Sequence, residues 1–146
     1  MKKWLEEVRA PKMYRYLFYT MVRWAKSWNN DSPAFSSMLL MTTTFGFYAF
    51  FLFALFDLIT AVSSWDLFIE GFYLYSILTL FLITGFTSYF LFYHNDKFLQ
   101  IEKEFVDENE KQRKLGSIYL FLYLFISFSS IYIGGWFLTF HNPNYN

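Results

Sequence analysis

The sequence predicts an all-α membrane protein: three transmembrane helices preceded by a basic amphipathic interfacial helix. Three observations carry this reading. The chain of 146 residues is 55% hydrophobic and 26% aromatic but only 16% charged, whereas an ordinary soluble domain is about 25% charged. Three long stretches hold no Asp, Glu, Lys or Arg at all. The Lys and Arg residues, 12 in all, are confined to two segments. A chain this apolar collapses or enters lipid, so intrinsic disorder is excluded.

Residues 1–31 form the cytoplasmic basic segment. In PKMYRYLFYTMVRWAKSW, Tyr14, Leu17, Phe18, Met21, Ala25 and Trp28 recur at helical spacing, which makes one apolar stripe. Lys12, Arg15, Arg23 and Lys26 fall on other positions of the same period and are the expected membrane-surface residues, suited to an anionic leaflet. The alternative is that this helix packs on the protein's own cytoplasmic loop or on a partner. Nucleic acid is a poor partner for basic residues that share a helix with so large an apolar stripe.

The first span is expected over 32–58. Ser32-Pro33 has the pattern of an N-cap followed by proline at the first helical position. The 22 residues from Phe35 to Phe56 make a helix of roughly 33 Å against a hydrocarbon core of roughly 30 Å. That run exceeds the usual signal-peptide core of about 7 to 15 residues, so the segment is read as retained despite the small residues at Ala61-Val62-Ser63. Residues 59–70 follow as a short extracytoplasmic loop.

Residues 71–94 make the second span. Gly71 to Tyr93 contains 12 Leu, Ile and Phe residues, which on an insertion scale contribute on the order of −5 kcal/mol. Residues 95–116 are a charged cytoplasmic helix or loop, with Phe98, Ile101 and Phe105 at helical spacing and with Asp107–Lys111 and Glu110–Lys114 as i, i+4 pairs. This helix is expected to continue the second span and turn before Gly116; its acids and bases form a solvated face, or dock on the N-terminal helix or another protein. The third span covers 117–140 and an extracytoplasmic tail 141–146.

Orientation follows from the basic residues. Lys2, Lys3, Arg9, Lys12, Arg15, Arg23 and Lys26 precede the first span, and Lys97, Lys103, Lys111, Arg113 and Lys114 lie between the second and third. Basic loops stay cytoplasmic, so the N-terminus is inside and the C-terminus outside. Trp28, Tyr89, Tyr93, Tyr119 and Tyr123 then fall toward the inner interface, and Trp65 and Trp136 toward the outer one.

Catalytic chemistry finds few parts. There is no Cys, hence no disulfide, thiolate ligand or cysteine nucleophile. His94 and His141 lie at opposite ends of the expected topology and cannot share a metal or a triad. Phosphate-loop, dinucleotide, zinc-hydrolase and nucleophile-elbow motifs do not occur, so neither catalytic residues nor a cofactor or metal is expected. Two residues retain a functional reading. Asp57 ends the first apolar run, where with Asp66 and Glu70 it would make an acidic outer mouth in an oligomer, or else stand as an interfacial charge. His94 would titrate near neutral pH or touch a headgroup, or else serve as an amphipathic anchor. Thr84, Ser88, Ser127, Ser130 and Gly134 are small residues that let helices approach closely in lipid. Thr42, Thr43 and Thr44 either line a polar path or bond their own helix.

The run Tyr89-Phe90-Leu91-Phe92-Tyr93-His94, the charged helix after it, Gly116 and a final apolar span resemble a group of small uncharacterised polytopic membrane proteins of Bacteroidota. The resemblance covers the C-terminal half and the Tyr-rich N-terminal helix. It implies the same topology and a bacterial inner membrane, and brings no activity with it.

The expected role is a non-enzymatic accessory or interaction subunit of unknown biochemical activity, in contact with the bilayer and with a partner membrane protein or further copies of itself. The alternative is an oligomeric pore-forming or membrane-disrupting effector in defence or competition. A membrane enzyme lacks a convergent polar cluster, and a transporter lacks inverted repeats.

Overall fold

In the computed structural model the described residues are 9–28, 31–60 and 72–141, and among them every regular element is helical. The elements are α1 (Lys12–Ser27), α2 (Pro33–Thr60), α3 (Phe72–Ser88), a π-helical turn (Tyr89–Tyr93), a 3-10 turn (His94–Asp96), α4 (Lys97–Phe105) and α5 (Glu110–His141). The 61–71 connection with Trp65, Asp66 and Glu70, the residues before Arg9 and the tail after His141 lie outside the described residues, as does the Asp57 side chain.

Local chemistry explains the boundaries. Proline lacks an N–H and is preset for the first helical turn, and α2 begins at Pro33, with the Ser36 N–H donating to the Ser32 carbonyl at 3.0 Å. Asn109 and Gln112 cap α5 reciprocally: Asn109 N donates to Gln112 Oε1 at 3.0 Å and Gln112 N to Asn109 Oδ1 at 2.9 Å. Two otherwise orphaned N–H groups are satisfied this way. Glu110 in the first turn also suits the positive end of the helix.

Among the described residues, two helices are each long and apolar enough on their own to cross a membrane, α2 over Pro33–Phe56 and α5 over Glu110–Phe137, where three were expected. Helix α3 has 17 residues, about 26 Å at 1.5 Å per residue, and the apolar run continues through a different backbone. The His94 N–H donates to the Tyr89 carbonyl, an i to i+5 bond, and Asn95 and Asp96 both take φ of 55°. Asn and Asp tolerate this left-handed region better than other side chains, so the chain breaks there instead of running on as one helix into the cytoplasm. The turn expected before Gly116 falls at 106–109, and Gly116 itself lies inside α5. Asp107 therefore precedes α5 and is not helically spaced to Lys111, whereas Glu110 and Lys114 do pair, at 3.2 Å.

The chain divides into two compact units. The first gathers residues up to Thr42 with Gly85–Tyr123. Its core is Leu17, Phe18, Met21 and Val22 of α1 with Met38, Met41, Phe92, Ile101 and Leu120. The Phe18 and Phe92 rings stack at 4.9 Å, and Phe105 meets Tyr16 at 5.2 Å and Tyr19 at 5.6 Å. Helix α1 is buried over six consecutive residues, Leu17–Val22, hence around its circumference and not along one stripe only. Trp28, expected on the stripe, is 80% exposed.

The second unit gathers Thr43–Thr84 and the residues from Leu124. Phe47 packs on Phe128 at 5.5 Å and Phe51 on Phe137 at 6.3 Å. A side chain at Gly134 would meet the Phe50 ring at 3.2 Å, and one at Gly46 the Phe81 ring at 3.6 Å. Small residues here bring helices close enough for aromatic rings to fill the seam.

Candidate functional site

The polar side chains converge in the first unit, where α1 meets α4 and the start of α5. The Arg15 guanidinium is planar with a fixed fork of donors, matched to a carboxylate. Its Nε donates to Glu104 Oε2 at 2.9 Å and its Nη2 to Oε1 at 2.7 Å, while Nη1 donates to the Ala10 carbonyl at 2.6 Å. That hydrogen bond holds the Glu104 carboxyl below its ordinary value. Two turns along α1, Arg23 Nη1 donates to Glu108 Oε2 at 2.6 Å, and Nη2 reaches the Arg113 carbonyl at 3.1 Å and Ser117 Oγ at 3.2 Å. Lys26 pairs with Glu102.

Glu108 is the most enclosed of these acids, its side chain only 3% exposed. Burial of a carboxylate demands both a countercharge and hydrogen bonds. Arg23 supplies the first and the Tyr16 hydroxyl, which donates to Glu108 Oε1, adds to the second. The Gln112 carbonyl stands 2.8 Å from the same hydroxyl. Burial first, and then the bond to Glu108, push the Tyr16 phenol well above its ordinary value. Gly116 is what admits this ring: a Cβ there would sit 3.0 Å from Tyr16 Cζ.

Beside this clasp a cleft of about 160 Å³ is lined by Arg9, Arg15, Leu91, Lys97, Gln100, Ile101 and Glu104. Lys97 is 6% exposed, and its Nζ donates to the Phe90 carbonyl in the π turn at 2.9 Å. Burial first, and then the nearby Arg9 charge, lower the Lys97 ammonium from its ordinary value.

Of the expected membrane-surface residues, Arg15, Arg23 and Lys26 are thus directed to glutamates of the protein itself, the own-loop docking that the sequence left as the alternative. Lys12 is exposed, and its charge also acts on Glu104. His94 is half-buried at the 3-10 turn, its ring 4.9 Å from Phe90 and 5.8 Å from Tyr89. Ser127 and Ser130 are buried; Ser127 Oγ donates to the Tyr48 hydroxyl at 3.0 Å and Ser130 Oγ to the Ser127 carbonyl at 2.7 Å. Thr84 and Thr42 bond carbonyls of their own helices, Leu80 at 2.9 Å and Met38 at 3.0 Å. Ser88 is fully buried, and its Oγ has no hydrogen-bond partner among the described residues. No group of three or more His, Asp or Glu able to hold a metal occurs among the described residues.

Sequence reasoning did not single out Arg9, Tyr16, Lys97, Gln100 or the Glu102, Glu104 and Glu108 series. The spacing of those glutamates on and after α4 was one available signal.

The described residues are therefore all-helical, with two helices able to cross a membrane and a group of helices clasped by ion pairs in the first unit. No protein family, curated protein or solved structure matches this chain.

Proposed function

We propose that the chain is a multi-pass integral membrane protein of a bacterial inner membrane that acts as a non-enzymatic accessory or interaction subunit. One observation carries this reading: large apolar side chains stand exposed on α2, α3 and α5 alike, among them Leu52, Phe53, Leu82, Phe86, Phe121 and Phe125. In α2 and α5 only 28% of the most apolar stretch is buried. Soluble monomers rarely expose contiguous apolar patches beyond a few hundred Å², and hydrocarbon is the solvent that suits such surfaces. Helix α3 makes the third crossing together with its π turn, since 17 and 5 residues give a length within the usual range of about 17 to 25.

The basic segments around α1 and α4 face the cytoplasm, and the C-terminus lies outside. The clasp then forms a cytoplasmic cap. Hydroxyls in the apolar helices turn back on their own carbonyls at Thr42, Thr79 and Thr84, which favours a packed subunit over an aqueous pore.

Reporter fusions test the reading in a bacterial host. A periplasm-active reporter is expected to work after Asn146 and a cytoplasm-active one in the turn after Phe105. A cytoplasmic signal at Asn146 means an even number of crossings. Expression that dissipates the membrane potential would replace the subunit with a pore.

A further inference from the structure

We infer that the outward face of α5, from its first turn onward, holds an anionic phospholipid, with the headgroup on Lys111 and Lys114 and an acyl chain along Leu115, Ile118 and Leu122. The inference rests on the membrane reading and adds to it a lipid class and a place. These residues follow i, i+3, i+4, i+7 and i+11, the spacing of one helix face. All are exposed, Leu115 at 50%, Ile118 at 54% and Leu122 at 47%. Gly116, Leu120 and Tyr123, on the opposite side of the same turns, are buried. The exposed face is thus separate from the one that receives the Tyr16 ring at Gly116.

A surface helix of a soluble protein keeps its charged and apolar residues on opposite faces, whereas here two lysines head an exposed apolar stripe. Helical side chains lean toward the N-terminus of their helix. The ammonium groups therefore stand ahead of the stripe while their aliphatic stems extend it, the habit of Lys at a hydrocarbon boundary. From Lys114 to Leu122 the rise is about 12 Å, within the half-thickness of about 15 Å of a bilayer core. One lipid thus meets cations at its phosphodiester and Leu and Ile along its chain. Lys114 pairs with Glu110 at 3.2 Å, with side chains 76% and 83% exposed, and so open a pair is readily exchanged for a headgroup. Phosphatidylcholine brings its own cation to this place and a headgroup of net negative charge does not, so the preference is for anionic lipid.

The test uses the full chain reconstituted in vesicles. The sequence has no Cys, so Tyr119→Cys carries a single fluorophore beside the stripe, at a position 54% exposed. Brominated phosphatidylglycerol and brominated phosphatidylcholine are compared as quenchers, and the ratio of their effects gives the local lipid preference. Phosphatidylglycerol is expected to quench more strongly. Lys111→Gln and Lys114→Gln, made in that background, are each expected to lower the preference about fivefold, the effect of one basic residue near the surface. Lys103→Gln, an equal loss of charge at an exposed position of α4, is expected to leave it unchanged. Equal quenching by the two lipids overturns the inference and leaves the membrane reading in place. So does a preference that survives the combined Lys111→Gln and Lys114→Gln substitutions, or one that Lys103→Gln lowers as much as they do. Quenching by neither lipid overturns both.

Discussion

Arg15 grips Glu104 with two parallel hydrogen bonds, 2.9 Å and 2.7 Å long, across a sequence separation of 89 residues. Bidentate geometry raises this pair above an ordinary surface contact, and partial exposure limits it. Glu104→Gln is expected to lower stability by about 1 kcal/mol, read as a reduced thermal midpoint in detergent. Arg15→Lys, which keeps the charge and loses the fork, is expected to fall between that variant and wild type. Equal midpoints for all three proteins would remove the fork from the account.

The same pair sets an acid limit. Glu104 is depressed in the folded protein below its ordinary value of 4.5, so its contribution is fully present above that value and is lost as pH falls through it toward the folded value. Wild type should lose thermal stability more steeply than Glu104→Gln below that point. Parallel acid profiles would contradict the assignment.

Tyr16 works in the opposite direction. Its phenol is raised, so its stabilising contribution is complete below the ordinary tyrosine range and fades only as pH climbs to the folded value. Absorbance titration of phenolate formation should show one fewer ionising group in Tyr16→Phe, lost from the most alkaline part of the wild-type curve. Tyr16→Phe also takes a hydrogen bond from nearly buried Glu108, at a cost of about 1 to 3 kcal/mol.

Two glycines of α5 should respond with opposite sign. Gly135→Ala meets nothing within 4 Å and gains helix propensity, an increase of about 0.5 to 1 kcal/mol. Gly116→Ala drives its Cβ into Tyr16, displacing the ring from Glu108, and is expected to destabilise by about 1 to 3 kcal/mol. The comparison is one of thermal midpoints, and a loss at Gly135 would refute it.

Two buried serines differ by their partners. Ser127→Ala removes the bond to Tyr48 and should lower stability by about 0.6 kcal/mol, the average for such bonds in membrane proteins. Ser88→Ala removes a hydroxyl with no partner among the described residues and should be neutral or slightly stabilising. Equal losses in urea or thermal unfolding would mean that the two hydroxyls are equivalent.

Much of the helical layout was legible because it is written locally. Ser32-Pro33 marks the start of α2, and the uncharged runs mark the apolar helices. The Asn95-Asp96 kink was also present as a turn signal, but the Phe98, Ile101 and Phe105 period suggested a continuous helix, and periodicity does not report a change of axis. A turn before Gly116 was legible, but not that Gly116 itself admits a ring from a distant helix. The Asn109–Gln112 cap was a local signal that went unread. The clasp could be foreseen only as an excess of bases in one segment and acids in another. Which Arg meets which Glu depends on how α1 lies on α4, and the Arg9–Lys97 cleft depends on the π turn, which no spacing rule anticipates.

The clasp has a consequence for biosynthesis. Arg15 leaves the ribosome 89 residues ahead of Glu104, and at about 5 to 20 residues per second that is an interval of roughly 4 to 18 s. Throughout it, the first basic helix has no acidic half to close upon, while the two greasy segments that follow are being threaded out. The cap can shut only after translation has passed them, so its closure is a late event that reports their delivery.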